Sequence, residues 1–446
     1  MTTAWLLLAV VLSRLGKCVR SGTGILPVAF CGIGILPMMH GLQAHATANR
    51  ILTSSLSASD LPVYETIPSV PQPGYLDSYT DPVFGAKVTR ITGEPGTSIP
   101  NIDGRWAEIV RHHYSKDAAW NCDQSLLYLA RHQGRPGHLF LDGDNYRVCF
   151  ARPGAPGTER RWHPKEPSIM VYVQENRIGR WNVRENTTQV LATFPGYSEF
   201  RMGPWEGNLS RDGRMLVVDG KREADRLAFA YDLEKGHTYP DLVLNDVGID
   251  WVSICASGRY IVLNGRIRGE RGDQTQVYDL QGNKVGELWS EYGRPSHYDL
   301  TLDENGDDVA VGVSKSKPDN GRVIKRRLSD GQVTVLTPGG YAGHTSARNL
   351  HRPGWAYVTY QHPGPTWPPF WGEVVAVKLD GSHTVERIAH LRTNKTDYLT
   401  EAHAVPSPDG QRVLWAGNWE SPTGRPIGAY VAHTVPSQNT TSGEQK

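Results

Sequence analysis

The sequence predicts an all-β protein, a seven-bladed β-propeller of four-stranded antiparallel blades, on three observations. First, one unit of loop, Gly or Asp turn and apolar strand recurs as "WNCDQSLLYLA", "WHPKEPSIMVYV", "NLSRDGRMLVVDG", "SICASGRYIVLNG", "LTLDENGDDVAVGV", "NLHRPGWAYVTY" and "AVPSPDGQRVLWAG". These seven units repeat every 42 to 56 residues or so, roughly the 40 to 50 of a four-stranded propeller blade. Second, further strand pairs follow, as in "HLFLDGDNYRVCF", "DRLAFAYDLEKGHTY", "QTQVYDLQGNKVGEL" and "GEVVAVKLDGSHTVERI", whose "DG", "EKG" and "GN" turns are hairpin signals. Third, 47 Gly and 30 Pro in 446 residues make a turn-rich chain that is long enough to bury a large core. A β-sandwich with long loops does not account for a steady period over so much of the chain.

The N-terminal segment differs in character. "TAWLLLAVVL" is an apolar run of signal-peptide length, shorter than the roughly 20 residues that span a bilayer. No Lys or Arg precedes it, and a second apolar stretch, "GILPVAFCGIGILPMM", follows before "AHATA", where cleavage near Ala46 fits the small-residue pattern. "TGILPV" and "IGILPM" nearly duplicate each other, as low-complexity insertion or a start codon placed too early would produce. The expected organisation is a leader at 1–46, a linker at 47–75, the propeller at 76–435 and a disordered tail at 436–446. That leader implies a secreted or periplasmic protein with no membrane span. Cys18 after "RLG" is a weak lipidation candidate, since Lys17 does not suit that signal. "GAKVTRIT", ahead of the first complete unit and without a hairpin partner of its own, is expected to close the ring as the outermost strand of the last blade.

Composition excludes some partners. Lys+Arg number 47 against Asp+Glu 46, a net charge of +1, so no overall field favours nucleic acid or an anionic membrane. Of five cysteines, Cys122, Cys149 and Cys255 lie outside the leader and form neither a CxxC signature nor an even-numbered disulfide framework. A monomer without an organic cofactor is expected.

Propeller geometry turns strand order into position. The first strand of a blade starts from one face and the second returns to it, so residues flanking such a hairpin meet on that face. In "RHHYSKDAAWNCDQSLLYLARH", residues 111–132, His112 and His113 precede the first strand and His132 ends the second. The same rule gathers Tyr197, Trp205, Glu206, Lys221, Arg222, Arg266, Arg268, His297, His344, His362 and His403. A locally positive mouth on a neutral chain suits a modest anionic ligand. Each residue also has a plain reading: a histidine at a strand junction caps the strand, and Trp120, Trp162, Trp205 and Trp251 pack between blades. Trp367 and Trp371 in "GPTWPPFWGE" lie in a Pro-rich insertion that serves either as a sugar platform or as an aromatic plug.

The 111–132 element, with "DSYTDPVFGAKVTRIT" ahead of it, resembles the opening blades of the seven-bladed propeller polysaccharide lyases, most nearly the ulvan lyases. The specific part is Arg-His-x-Tyr-Ser-Lys followed by Trp-Asn-x-Asp. A more distant likeness, to the oligogalacturonate lyases, runs through "EAHAVPSPDG". The resemblance implies β-elimination on a uronate: the carboxylate is neutralised, the C5 proton removed and the O4 leaving group protonated. His112 and His132 match the two family histidines, His112 rather than His113 because it directly follows Arg111. Arg222 is the counterpart of the carboxylate-binding Arg. The family tyrosine departs from its position, because "GYSEFRMGPWEGNLS" puts Trp205 and Glu206 nearest the strand; Tyr197, earlier, is the catalytic candidate if it reaches the site from a longer loop, with replacement by Glu206 or loss of catalysis as the alternatives. His113, Lys116, Asn121, Glu206, Arg266, Trp367 and Trp371 complete the candidate substrate-binding set.

The resemblance also implies a divalent metal ion, zinc, calcium or manganese, for which His297, His344 and His403 are the candidate ligands. Glu401 stands where another histidine is expected, and without close His/His or Cys/Cys spacing the alternative is a wet channel lined by unliganded histidines. Two functions remain: a lyase cleaving an anionic, uronate-containing and ulvan-like polysaccharide, or a propeller that binds a glycan or a protein without catalysis. Glycoside hydrolysis is a weaker third, since no carboxylate pair stands out.

Overall fold

The computed structural model describes residues 67–133, 136–361 and 367–434. The expected leader, the cleavage site, Cys18, His362 and the whole of the expected tail lie outside the described residues. No described helix is long and apolar enough to cross a membrane. The single 3-10 turn Tyr398–Thr400 is the helical element that bears on the site.

Seven antiparallel blades form the ring, as the repeat predicts. The second is the plainest, with Glu159–Trp162, Ile169–Gln174, Arg177–Asn182 and Thr187–Thr193 in consecutive order. The fourth, fifth and sixth repeat that pattern from Val247–Ile254, Ser296–Leu302 and Thr345–Ser346 onward. The first blade is interrupted: Val110–Arg111 pairs with Arg131–His132, Trp120 bridges Leu127, and residues 112–118 bulge between these two contacts. The bulge carries His112, His113, Tyr114, Lys116 and Asp117.

Lys87–Arg90 closes the ring by pairing with Gly428–His433, Lys87 opposite His433 and Arg90 opposite Tyr430. One detail corrects the sequence reading: this strand has a hairpin partner, because Ser78–Thr80 adds a further strand outside it. Three residues are too short a run to stand out as a strand by pattern.

The core explains why the strands read as continuous apolar runs. Buried side chains fall into seven clusters, one between each pair of neighbouring blades. Successive residues of a strand face opposite neighbours: Leu127 and Leu129 join the seventh blade's residues, whereas Leu126 and Tyr128 join the second's. Met215 and Val217 pack on the fourth blade while Leu216 and Val218 pack on the second. Turns between first and second strands are left-handed, with φ of +81° at both Gly213 and Gly258; in the first blade Gln124 takes that position at +62°. The three described cysteines, Cys122, Cys149 and Cys255, are free thiols.

Candidate functional site

The seventh and sixth blades bring an acid and two imidazoles together at one end of the ring. Glu401 Oε2 accepts from His344 Nε2 at 2.8 Å and from His403 Nε2 at 2.9 Å, and Lys395 Nζ lies 2.6 Å from its other oxygen. Burial pushes this carboxyl up, but the donors outweigh it and hold Glu401 well below the usual carboxylate range. The ligand atoms of His344, Glu401 and His403 all lie within 4.8 Å of one another. His344 and His403 rings meet edge to face at 4.2 Å, and His297 packs its ring against His344 at 4.5 Å.

Strained backbone aims two of these side chains. His297 and His403 both have φ of +47°, a left-handed conformation that costs a non-Gly residue free energy and here sits at the channel end. His297 also falls inside a β-bulge, the register shifting between Ser296 and Asp299. His403 is completely buried, and burial lowers its affinity for a proton well below the usual value.

The expected trio of histidines is therefore corrected to two histidines and a carboxylate, His297 lying beside the group. Its donors, two imidazole nitrogens and a carboxylate oxygen, fit a borderline cation such as zinc or manganese better than calcium, which prefers oxygen alone. His344 suits ligation directly, because its Nδ1 is 3.3 Å from the Tyr114 hydroxyl and its Nε2 faces inward. His403 carries a condition. Arg111 donates to His403 Nδ1 at 2.9 Å, which puts the proton of the neutral ring on Nε2; ligation through Nε2 requires Arg111 to release Nδ1.

Arg111 itself is buried, donates to the carbonyls of His112 and Leu399, and is lowered to about 9 by burial and by the Arg131 charge. His112 is equally buried: its Nε2 donates to the His403 carbonyl at 2.6 Å, and burial first, then Arg111, lowers it to about 3. His132 is buried opposite Val110, so the two ends of the hairpin do return to one edge. His113, by contrast, faces open space. Its Nδ1 pairs with Asp117, which is itself held by Arg161 at 3.0 Å, so Nδ1–H donates to the carboxylate and the lone pair rests on Nε2.

His113, Tyr114 and Tyr398 belong to the wall of a cavity of about 530 Å³ that Arg131, Arg160 and Trp205 also line. Tyr114 and Tyr398 connect it to the Glu401 group, their rings lying 4.7 and 5.5 Å from the His403 ring. Trp205 is 49% exposed, not packed between blades as its spacing predicts. It sits on a turn at φ +71°, fixed by Arg161 donating to its carbonyl and its own N–H donating to Glu159. Trp120, Trp162 and Trp251 are buried as expected.

Other sequence candidates lie elsewhere. Tyr197 is directly opposite Arg222 in the third blade; both bind Asp241, Tyr197 Oη at 2.9 Å and Arg222 at 2.6 Å, in a different cavity shared with His237 and Gln281. The structure brings neither of them to the Glu401 group. Lys116 Nζ is buried 3.3 Å over the Trp251 ring and bonded to Glu206 at 3.1 Å. Asn121 spends its amide on Pro167, Ser125 and Leu126, a turn-holding role. Arg266 is an exposed side chain near the end of a fourth-blade strand, 3.9 Å from Asp273. Trp367 is 41% exposed against Tyr341, and Trp371 is partly buried. Spacing alone missed Arg131, Arg160, Lys395 and Tyr398, which sit on irregular segments or at a strand's first residues.

No protein-family model matches the chain, and no curated protein matches it. Among solved structures it is similar to an oligogalacturonate lyase in complex with manganese, at TM-score 0.57 and 15% sequence identity, over 81% of this chain and 96% of that one. It is similar also to the oligogalacturonate lyase from Vibrio parahaemolyticus, at TM-score 0.55 and 11% identity, over 81% of this chain and 97% of that one. At these identities the likeness establishes a common propeller fold.

Proposed function

We propose that the chain is a polysaccharide lyase that cleaves a uronate-containing glycan by β-elimination, in the cavity between His113 and Tyr398. The observation that carries this reading is the His344–Glu401–His403 group beside that cavity, on a fold shared with oligogalacturonate lyases. A metal-ligating donor set and an imidazole oriented by a carboxylate meet the demands of the reaction. The similarity to oligogalacturonate lyases makes polygalacturonate the first polymer to test, with ulvan second.

In this reading His113 Nε2 takes the C5 proton, its tautomer set by Asp117. Tyr398, a phenol that holds its proton at neutral pH, is placed on the cavity wall to give a proton to the departing O4. His344, Glu401 and His403 would hold the cation, with Lys395 and Arg111 around them. Such a cation, when bound, supplies Lewis-acid stabilisation of the charge that builds on the uronate carboxylate. His112 and His132 act as supports behind these groups.

The non-catalytic alternative keeps one observation in its favour: Tyr197 and Arg222 pair with Asp241 away from the cluster. One experiment separates the readings. Purified protein is incubated with polygalacturonate, ulvan and glucuronate-containing polymers, with and without added manganese, and the ultraviolet absorbance of the unsaturated product is followed. Absorbance that grows with time supports the lyase. Retained binding with no absorbance on any polymer leaves the glycan-binding module.

A further inference from the structure

The cavity beside the Glu401 group is lined by three arginines and three carboxylates, and two of those arginines are paired with no acid and are not used by the elimination step. Three carboxylates line it, and each has a partner: Asp117 takes His113 and Arg161, Glu206 takes Lys116, and Asp250 accepts from the Asn264 amide at 2.7 Å. Two guanidinium groups on the same wall have no acid. The Arg131 side chain makes no hydrogen bond or ion pair with any described residue. Arg160 donates only to neutral oxygens, the Pro156 and Gly157 carbonyls and the Tyr128 hydroxyl.

The strand pairing sets Arg131 beside another cation. Arg131 is directly opposite Arg111 in the strand pairing, so two cations share a short ladder where like charges repel. Arg111 is buried and has carbonyls and His403 as its partners, with no carboxylate within its hydrogen bonds. Neither Arg131 nor Arg160 forms an ion pair with any described carboxylate, although three carboxylates line the same cavity. Exposed aromatic rings flank it: Tyr398 is 54% exposed and Trp205 49%. Planar cations that match a carboxylate, set between apolar rings that match a sugar face, form a recognisable combination.

We propose that Arg131 and Arg160 form a second carboxylate subsite, which clasps the uronate neighbouring the sugar that undergoes elimination while Trp205 or Tyr398 stacks on its ring. This rests on the uronate-lyase reading and adds a requirement to it: the substrate carries free carboxylates on adjacent sugars. Methyl esterification of the neighbouring residue removes the negative charge and leaves the guanidinium groups without their partner.

The test uses the full chain and its Arg131→Gln, Arg160→Lys and Arg131→Gln/Arg160→Gln variants, with trigalacturonate and its methyl ester as probes in calorimetry. Turnover on polygalacturonate is followed in parallel. The expected result is that wild type binds trigalacturonate and not the ester, and that Arg131→Gln weakens binding about tenfold or more. Turnover should show a raised KM with kcat within about threefold, since the lost contact is made in ground state and transition state alike. Equal affinity for acid and ester, no binding of either, or unchanged affinity in both single variants overturns the subsite. Arg131→Gln removes a side chain without partners and should melt with wild type; if Arg160→Lys melts early, Arg131→Gln alone decides. Binding that behaves as expected in a protein with no turnover on any polymer sinks the lyase reading and leaves the subsite standing.

Discussion

Nε2 of His112 donates to the main-chain carbonyl of His403 across 2.6 Å, joining the first blade to the seventh beneath the Glu401 group. A fully buried imidazole that gives its proton to a backbone oxygen is a positioning residue. His112→Ala leaves that carbonyl without a donor and opens a cavity, so it should cost about 1 to 3 kcal/mol of stability. His113→Ala, on the cavity wall, should melt close to wild type while turnover falls about 100-fold or more. Thermal melts and initial rates of the two variants side by side check the assignment; a His112→Ala protein that melts normally but has no turnover would return the base to His112.

Glu401 is the acceptor on which His344, His403 and Lys395 converge. Glu401→Gln takes away the negative charge that offsets a cation while keeping the shape. Titration of the metal-freed protein with manganese or zinc should give one tight equivalent for wild type and none for Glu401→Gln. Arg111→Met should alter affinity in the other direction or by less, because it releases Nδ1 of His403; outer residues of this kind typically change metal affinity about 10- to 100-fold. Chelation should abolish turnover and manganese should restore it.

A different acid ties the ring shut. The Asp81 carboxylate accepts from the backbone N–H and Nδ1 of His390, at 3.0 and 3.1 Å, and from the backbone of Val83 and Phe84. Burial alone would raise it, but those donors hold it at about 2. The folded state thus favours the ionised form relative to the unfolded chain. The stabilisation is present in full above about pH 4 and is lost as pH falls through about 2, and it is worth on the order of 2 kcal/mol. Denaturant unfolding of wild type and Asp81→Asn should show that gap near neutral pH and a narrower one near pH 2. A gap independent of pH would mean that the carboxylate's charge contributes nothing.

The fold was legible because every blade buries both faces against a neighbour. That turns strands such as "LLYL" and "MLVV" into continuous apolar runs at a fixed period, and it let "GAKVTRIT" be placed as the closing strand. The site was legible only where regular strands deliver it. Strand order put His112 and His132 at one edge, but could not say which of two adjacent histidines turns inward, since the bulge at 112–118 breaks the alternation that would decide it. Trp205 deceived for the same reason, sharing the spacing of buried tryptophans while sitting on a turn with positive φ. Arg222 and Tyr197 were grouped with the cluster because both flank a hairpin. In the third blade Tyr197–Arg201 pairs with the eight-residue strand Met215–Arg222, and the Tyr197–Arg222 end of that pair binds Asp241 and makes no contact with the Glu401 group.

Arg222 is paired with Asp241 at 2.6 Å and with the Tyr197 hydroxyl at 2.9 Å, in surroundings where nearly half of the guanidinium side chain is exposed. Exposed pairs of this kind are screened by solvent and contribute little, so Arg222→Ala should barely change the melting temperature. It touches no residue of the cavity that holds His113, Arg131 and Tyr398, so kcat/KM on polygalacturonate should stay within about twofold, against the large loss for His113→Ala. Steady-state rates of Arg222→Ala, Tyr197→Phe and His113→Ala on one polymer settle the comparison. A hundredfold fall for Arg222→Ala with an intact melt would show that the carboxylate-binding arginine is where the family resemblance put it. The cavity lined by Tyr197 and Asp241 would then be the place where the sugar binds.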